Sequence, residues 1–404
     1  VNTDEAPDLI FERFKFNDPL YILFSSGTTG VPKCIVHGVG GTLIQHKKEH
    51  NLHCDIKEGE RVFYFSTCGW MMWNWLISGL ASGATLMLYD GSPVLKNNEN
   101  ILFDYADQEK FNIMGISAKF LDTCRKLELN PMNSHNLSSL RMMLSTGSVL
   151  NSECFDYVYE KIKRSVCLSS ISGGTDIVSC FVLGSNILPV YRGELQTRGL
   201  GMSVEVWDEL GSPVNGRKGE LVCTKTFPSK PVMFWDDKAM KKYSNSYFKR
   251  YPNIWHHGDY VKLLDNGGMV FYGRSDTTLN RGGVRIGTAE IYRQVEVLEE
   301  VFESIVVEQN WDDDSRIILF VRLKEAIHLT DDLKEKITKQ IRENTSPRHV
   351  PDLIIQVSDI PRTKSGKIVE IAVQKAIHGL PIENKSALEN PQVLDEYHHH
   401  KELQ

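Results

Sequence analysis

The sequence predicts an α/β protein in which a parallel sheet and a β-rich subdomain are followed by a small α+β domain. Three observations lead to this prediction. Apolar segments of strand length alternate with helical segments from Tyr21 to about Tyr191, a pattern typical of a parallel sheet. Shorter strands with turn glycines then continue as far as Tyr272. After Arg274 the pattern changes again, to helices and strands that form a unit of their own.

The elements of the large domain follow from hydrophobic runs and turn residues. The segment Tyr21–Phe24 is expected to be a short buried strand, because large apolar residues precede a dense turn signal there. The predicted strands of the parallel sheet are RVFYF, ATLMLY, FNIMGI, RMMLST and SVCLSS, with helices at MMWNWLISGLASG and NSECFDYVYEKIK. In the β-rich part, GELVCTK is a predicted strand and YVKLLDNGGMVFYG a predicted hairpin.

The small domain is predicted from a clear succession of elements. These are the helix TAEIYRQVEVLEEV, the strands SIVVEQ and IILFVRL, the charged helix DDLKEKITKQIREN and the strand DLIIQVSD. We therefore expect a large domain at 1–275, a small domain at 276–383 and a polar tail at 384–404. The histidines at His398–His400 could bind a metal, but a solvated and poorly ordered tail is the favoured interpretation.

Composition limits the classes of function. With 404 residues, of which 41% are hydrophobic, the chain can bury a large core. Its 46 basic and 52 acidic residues give a net charge of −6, which does not favour nucleic acid or an anionic membrane surface as a partner. The eight cysteines are scattered without a CxxC pair, so a reduced, cytosolic setting is expected. No apolar run approaches the ~18–20 residues that span a bilayer.

The segment Ser25–Lys33, SSGTTGVPK, combines hydroxyl groups, two glycines and a lysine after a predicted strand. Glycines allow backbone N–H groups to approach a ligand, and hydroxyls with one positive charge suit phosphate oxygens. The segment is not a Walker A loop, because Cys34 follows where that pattern requires Ser or Thr. A polar surface turn is the alternative interpretation.

The order of residues in SSGTTGVPK closely resembles the phosphate loop of the acyl-adenylate-forming enzymes, which include acyl-CoA synthetases, luciferases and the adenylation domains of peptide synthetases. The resemblance implies a nucleotide-binding α/β domain followed by a small mobile domain. It assigns nucleotide binding to Ser25, Ser26, Gly27, Thr28, Thr29, Gly30 and Lys33. It also assigns nucleotide binding to Gly147, after the strand RMMLST.

Two acidic motifs follow predicted strands or turns. In ISGGTD, Asp176 comes after a glycine turn at a strand end, where α/β sheets bind ligands, so it could hold Mg²⁺ while Thr175 bonds a phosphate. The family usually has Tyr-Gly-x-Thr-Glu here. In WHHGDY, Asp259 matches a family element whose carboxylate accepts both ribose hydroxyls. An ordinary turn aspartate is the alternative for each.

The segment YGRSDTTLNRGGVRIGTAEI resembles the family's G-R-x-D-x-x-x-x-x-x-G-x-R-I signature. The resemblance implies that Arg274 contacts ribose and phosphate oxygens and that Asp276 is the hinge between domains. It also implies that Gly283 leaves room for the pantetheine arm of CoA and that Arg285 faces the nucleotide or the thiol. Asn280 stands where many members have lysine. A basic interdomain loop is the alternative interpretation.

The segment PRTKSGKIVE resembles the closing P-x-T-x-S-G-K of the family, in which Lys367 is the catalytic lysine. Lys367 lies on a glycine turn before a helix, so its ammonium could reach a site built by the large domain; a solvated surface lysine is the alternative. Five such elements occur in the family's order across most of the chain. We therefore expect Lys367 and Thr175 to be catalytic, with Mg²⁺ as cofactor and with ATP and CoA as substrates.

The acid is predicted from the branch of the family that activates acetate and acetoacetate, which IKEGERVFYFSTCGWMMWNW and NRGGVRIGTAEIY resemble most closely. In acetate-activating members, a tryptophan two residues before the motif threonine closes the acyl pocket. Gly173 stands there in this chain. With Trp70 and Gly174 as further pocket residues, a four-carbon acid, acetoacetate, is expected to fit.

The beginning of the chain leaves one alternative open. Val1 replaces the usual initiator methionine, and members of the family carry a long stretch before the phosphate loop. We therefore expect a large domain that is incomplete at its amino end. A truncated form that binds nucleotide without catalysis, or an enzyme for another short-chain acid, stays an alternative.

Overall fold

The computed structural model describes residues 10–25, 33–281, 284–311, 314–364, 366–382, 385–398 and 400–403. Several residues assigned to the nucleotide and to CoA lie outside the described residues, namely Ser26, Gly27, Thr28, Thr29, Gly30 and Gly283.

The predicted parallel sheet is confirmed. Its strands lie in the order β4-β3-β5-β6-β7, and every neighbouring pair is parallel. In chain order, the first elements are β1 (Pro19–Phe24), β2 (Cys34–Gly38), α1 (Val39–Lys48), β3 (Arg61–Tyr64), α2 (Met71–Ile77), β4 (Thr85–Met87), α3 (Ile101–Glu109), β5 (Ile113–Ser117), α4 (Ala118–Lys126), α5 (Pro131–Ser134), β6 (Met142–Thr146), α6 (Ser152–Tyr157) and β7 (Cys167–Ser170).

Both faces of this sheet are buried. Successive side chains of a strand point to opposite faces, and here each face is covered by an apolar cluster. On β3, Phe63 belongs to one apolar cluster, whereas Val62 and Tyr64 belong to another. Because β5, β6 and β7 are parallel, their carboxyl ends meet at one edge of the sheet, where ligands of open α/β sheets bind.

The β-rich subdomain contains an antiparallel sheet in the order β11-β12-β14-β15, which includes the predicted hairpin. Its register places Asp259 opposite Arg274, so the sheet itself brings two predicted site residues together. The elements of this region are β8 (Ser172–Gly174), β9 (Ser179–Leu183), β10 (Thr197–Arg198), β11 (Val204–Trp207), β12 (Lys218–Cys223), β13 (Met233–Phe234), α7 (Lys241–Tyr247), β14 (Trp255–Leu263) and β15 (Met269–Arg274).

The first strand differs from the prediction. The chain forms β1 as expected, but β1 pairs with β2 in a separate antiparallel sheet completed by β13. The prediction that this strand is buried is wrong, since 64% of Phe24 and 40% of Ile22 are exposed. An apolar run cannot by itself show whether a strand has a covering layer.

The small domain has a sheet in the order β18-β19-β20 with helices packed on its faces. The alternation Ile305, Val306, Val307 again divides between two apolar clusters. Its elements are β16 (Leu279–Arg281), β17 (Val284–Ile286), α8 (Thr288–Val295), β18 (Val301–Trp311), β19 (Asp314–Leu323), α9 (Asp331–Asn344), β20 (Leu353–Gln356), α10 (Glu370–Ile377) and α11 (Leu394–His398). The helix α8 ends earlier than predicted, before the strand β18.

The prediction of a solvated tail is wrong for part of its described residues. Tyr397 is fully buried and Leu394 nearly so, and both belong to an apolar cluster of the small domain. The hydroxyl of Tyr397 donates a hydrogen bond to the carbonyl oxygen of Asp359 (2.9 Å). The polar composition of the tail hid a few apolar residues spaced to fit one helix face.

Within the described residues, every helix is too short or too polar to cross a membrane. None of the eight cysteines, all of which belong to the described part of the chain, forms a disulfide.

Candidate active site

We call the carboxyl edge of the parallel sheet, beside Ser117, Gly147 and Trp70, the crevice, because ligands of open α/β sheets bind at this edge. Ser117 ends β5, Gly147 follows β6, and Trp70 precedes α2. A Cβ atom placed on Gly147 would lie 3.9 Å from both Ser117 and Trp70, and the φ of Gly147 is +98°. Glycine therefore suits a backbone that turns sharply between two walls of this crevice.

The predicted metal ligand, Asp176, lies between a cation and a phenol. Its Oδ1 accepts hydrogen bonds from Lys33 Nζ (2.9 Å) and from the Tyr247 hydroxyl (2.5 Å). Burial would raise the pKa of Asp176, but the charge of Lys33 and the Tyr247 hydrogen bond hold that pKa well below its ordinary value. The carboxyl group is thus ionised at neutral pH, and the structure brings Lys33 and Asp176 together.

The neighbouring Thr175 is fixed through its backbone. His37, on β2, donates a hydrogen bond from Nε2 to the carbonyl oxygen of Thr175 (3.0 Å). Burial lowers the pKa of His37 to about 4, so its imidazole is neutral at physiological pH. The strand that follows the phosphate loop thereby positions the acidic motif.

This neutral histidine predicts a loss of stability in acid. Between a pKa of 6.5 in the unfolded chain and about 4 in the folded protein, only the unfolded chain takes up the proton. The contribution of His37 to the free energy of unfolding is therefore fully present above about pH 6.5. It falls as the pH drops toward about 4 and is constant below that pH. We expect His37→Gln to remove roughly 2 kcal/mol of the difference in unfolding free energy between about pH 7 and about pH 5. Urea titrations of both proteins at the two pH values measure this difference, and identical pH dependence would contradict it.

The predicted ribose ligand, Asp259, is buried and paired. Arg274 NH1 donates to Asp259 Oδ1 (3.2 Å) and to the carbonyl oxygen of His257 (3.0 Å). The Nε of Arg274 lies 3.6 Å from Oδ1 of Asp276, the predicted hinge. One arginine therefore connects the predicted ribose site to the predicted hinge.

The catalytic lysine predicted from sequence approaches this cluster from the small domain. Its loop is a tight turn in which Thr363 N donates to the Lys367 carbonyl oxygen (2.8 Å) and Gly366 has a φ of +81°. Burial and the charge of Arg274 lower the pKa of Lys367, whereas the carboxylates of Asp259 and Asp176 raise it. The charges that act on this ammonium are thus those of the predicted nucleotide and metal residues.

Arg285 does not join this cluster. Its NH1 donates to Glu220 Oε1 (2.8 Å), and its guanidinium lies 4.5 Å from the centre of the Tyr260 ring. Burial alone would raise the pKa of Glu220, but hydrogen bonds from His256, Ser275 and Arg285 lower it to about 2. A role of Arg285 toward the nucleotide or the thiol stays a prediction.

The expectation that Gly173 leaves an open space for the acid is wrong. A Cβ on Gly173 would lie 2.0 Å from the carbonyl oxygen of Ser179 and 2.5 Å from Cα of Cys180. Both belong to β9, which pairs with β8. Gly173 is therefore required for close packing of two strands, a constraint that a linear motif comparison does not reveal.

Gly174 has a different neighbour. A Cβ at that position would lie 3.3 Å from the ring of His257, a buried residue whose pKa is lowered by burial. No sequence motif predicted a role for His257, Tyr247 or His37. The motif WHHGDY contains His257 and could have indicated it, whereas no local signal connects Tyr247 to Asp176.

Comparison with known proteins identifies the family of the chain. The family model for AMP-binding enzymes matches residues 4–229, and the model for the C-terminal domain of AMP-binding enzymes matches residues 296–367. An acetoacetyl-coenzyme A synthetase of Rhizobium meliloti (strain 1021) is 61% identical over 391 residues, which cover 97% of this chain and 60% of the relative. An acetoacetyl-CoA synthetase of Gallus gallus is 50% identical over 404 residues, covering 99% of this chain and 60% of the relative.

Solved structures show the same fold. The acetoacetyl-CoA synthetase from Streptomyces lividans superposes with a TM-score of 0.91 at 40% identity, covering 98% of this chain and 61% of that one. The anthranilate CoA ligase AuaEII, at 21% identity and a TM-score of 0.79, shares the fold over 91% of this chain and 69% of its own. The chain spans about 60% of the length of the curated relatives it matches. Because the family model matches more than half of it, the chain belongs to the AMP-binding enzyme family.

Proposed function

We propose that the chain carries the site of an ATP-dependent enzyme that joins acetoacetate to CoA through acetoacetyl-AMP, with release of AMP and pyrophosphate. The observation that carries this proposal is the cluster in which Arg274 donates to Asp259 Oδ1 (3.2 Å) and lies 3.6 Å from Asp276 Oδ1. The charges of Arg274, Asp259 and Asp176 act on the ammonium of Lys367, which belongs to the small domain. The acid is inferred from relatives named acetoacetyl-CoA synthetase. The proposed partners are the small-molecule substrates rather than nucleic acid, which the net charge of −6 does not favour, and the cytosol is the proposed location.

In the first half-reaction, a carboxylate oxygen of the acid attacks the α-phosphorus of ATP. The bond to the β-phosphate breaks, and pyrophosphate leaves with its electron pair. Since two anions react, fixed positive charge lowers the barrier most as charge moves in the transition state. Lys367 supplies that charge at the reacting phosphate. The groups proposed to hold the nucleotide are Ser25, Ser26, Gly27, Thr28, Thr29, Gly30, Lys33, Gly147, Thr175, Asp259 and Arg274.

The residues present fit a bound Mg²⁺. Magnesium is usually held by one or two carboxylates together with substrate phosphates rather than by a complete protein cage. Asp176 offers an ionised carboxylate, and no group of three or more histidine, cysteine or acidic residues suited to a metal occurs among the described residues. When bound, Mg²⁺ neutralises phosphate charge. Asp176 would hold the ion, while Lys33 and Tyr247 orient its carboxylate.

In the second half-reaction, the thiolate of CoA attacks the acyl carbonyl carbon of acetoacetyl-AMP and AMP leaves. The small domain turns about Asp276, which withdraws Lys367 and presents the face with Gly283 to CoA. This turn separates Arg285 from Glu220, so Arg285 becomes free to contact substrate. The acyl group occupies the crevice beside Trp70 and Gly174.

Pyrophosphate exchange tests the proposed function. Two proteins are assayed: the 404-residue chain and a longer form that has the full length of the curated relatives. Each is incubated with ATP, labelled pyrophosphate and one acid at a time, namely acetoacetate, acetate or butyrate. Exchange measures acyl-AMP formation, because the enzyme returns acyl-AMP and pyrophosphate to ATP. We expect it to be fastest with acetoacetate, since the relatives are named acetoacetyl-CoA synthetase. Faster exchange with another short acid would identify that acid as the substrate instead. Nucleotide binding without exchange in either form would show a non-catalytic nucleotide-binding protein instead.

A further inference from the structure

One buried carboxylate links the two domains next to the active-site turn. Glu303, near the start of β18, is mostly buried, with 7% of its side chain exposed. Its Oε1 accepts a hydrogen bond from Lys119 Nζ of the large domain (2.8 Å). Its Oε2 accepts one from Arg362 NH2 of the small domain (2.8 Å). The carboxylate thus divides its two oxygens between two domains.

Each end of this link has a defined place in the site. Lys119 is the second residue of α4, whose N-cap, Ser117, ends β5 at the crevice. Arg362 forms an antiparallel β-bridge with Ile368. These two residues close the turn of the small domain that contains Lys367. The chain of contacts from Lys119 through Glu303 to Arg362 therefore runs from the wall of the crevice to the base of the turn that presents the ammonium of Lys367.

Neighbouring contacts hold β18 against α4. Lys126, at the end of α4, donates a hydrogen bond to the carbonyl oxygen of Phe302. The ammonium groups of Lys119 and Lys126 each lie 5.1 Å from the centre of the Phe302 ring, a cation–π distance. Charge-assisted hydrogen bonds to a buried carboxylate are stronger than exposed ones and are little screened by salt. Of these contacts, only Lys119–Glu303 continues to the turn of Lys367.

We propose that Lys119 and Glu303 are positioning residues that set the Lys367 turn for acyl-AMP formation. This inference rests on the proposed function. The link can exist only when the small domain presents Lys367 to the large domain, so it acts in the first half-reaction and breaks when the domain turns. Without the charge of Lys119, Glu303 is held by Arg362 alone, and the turn loses its connection to the crevice wall. An error of about 1 Å in the position of a catalytic group can lower a rate about 100-fold.

The test replaces Lys119 with methionine, which keeps the length of the side chain and removes its charge. We expect K119M to lower acetoacetate-dependent ATP–pyrophosphate exchange at least about tenfold. Thioester formation from presynthesised acetoacetyl-AMP should change less than about twofold, because Lys119 is not engaged there. Hydrogen exchange of the amides in residues 361–369 should become faster in the same variant, which reports the loosened turn independently of activity.

Two further variants make the result decisive. K119R keeps the charge and should retain most of the exchange activity. K110M removes the charge of an exposed lysine that pairs with Asp107 and should change nothing. If K119M matches K110M in both pyrophosphate exchange and hydrogen exchange, or if both half-reactions fall equally, the inference is wrong. If neither the 404-residue chain nor the longer form shows pyrophosphate exchange, the proposed function fails, whereas faster hydrogen exchange in K119M still supports the link between the domains.

Discussion

Replacing Lys367 with alanine is expected to lower acetoacetyl-AMP formation by about 100-fold or more, the typical effect of removing one preorganised charge from a transition state. Thioester formation from presynthesised acetoacetyl-AMP should stay within a few-fold of the unmodified rate, because Lys367 is withdrawn in that half-reaction. Single-turnover assays of each half-reaction measure the two rates separately. The expectation follows from the position of Lys367, which is half-buried and within the electrostatic influence of Arg274, Asp259 and Asp176.

The neighbouring lysine in the same turn provides the control. Lys364 is exposed to solvent, so Lys364→Ala should leave both half-reactions unchanged. Equal losses for Lys364→Ala and Lys367→Ala would mean that the turn tolerates no change, rather than that one ammonium acts on the phosphate. A Lys367→Ala variant that loses both half-reactions to the same extent would also contradict the role proposed for this residue.

Much of the fold could be predicted because the signals are local. Alternation of apolar residues in segments such as β18, and the cap and length of α9, are properties of short stretches of sequence. Thr330, the N-cap of α9, accepts a hydrogen bond from Leu333 N, and the helix spans the whole predicted segment. Two motif residues, Asp259 and Arg274, lie opposite each other in one hairpin, so their proximity also follows from a local element.

Other features depend on contacts between distant segments, and sequence patterns do not encode these directly. The bond from Tyr247 to Asp176 joins residues 71 positions apart, and Lys119 and Glu303 are 184 positions apart. The tail residue Tyr397 is buried because a sheet face of the small domain is available to cover it. In each case the partner lies far away in the sequence, so no local pattern could indicate the contact.

Gly173→Ala is expected to destabilise the protein by about 1–3 kcal/mol, the usual cost of inserting a methyl group into a close-packed site. The new Cβ would lie 2.0 Å from the carbonyl oxygen of Ser179, so β9 must shift away from β8. Gly173→Trp should prevent folding of this region, instead of moving acid preference from acetoacetate toward acetate. Urea unfolding of the alanine variant measures the loss.

Gly69→Ala is the matched control for this change, because the nearest atom to its new Cβ, Thr67 Oγ1, would be 4.0 Å away. That variant should stay within about 0.5 kcal/mol of the unmodified protein. A Gly173→Trp variant that folds normally and prefers acetate would restore the original expectation of an open pocket at this position. The comparison separates two uses of glycine that a motif cannot distinguish: room for a substrate, and room for the backbone of the next strand.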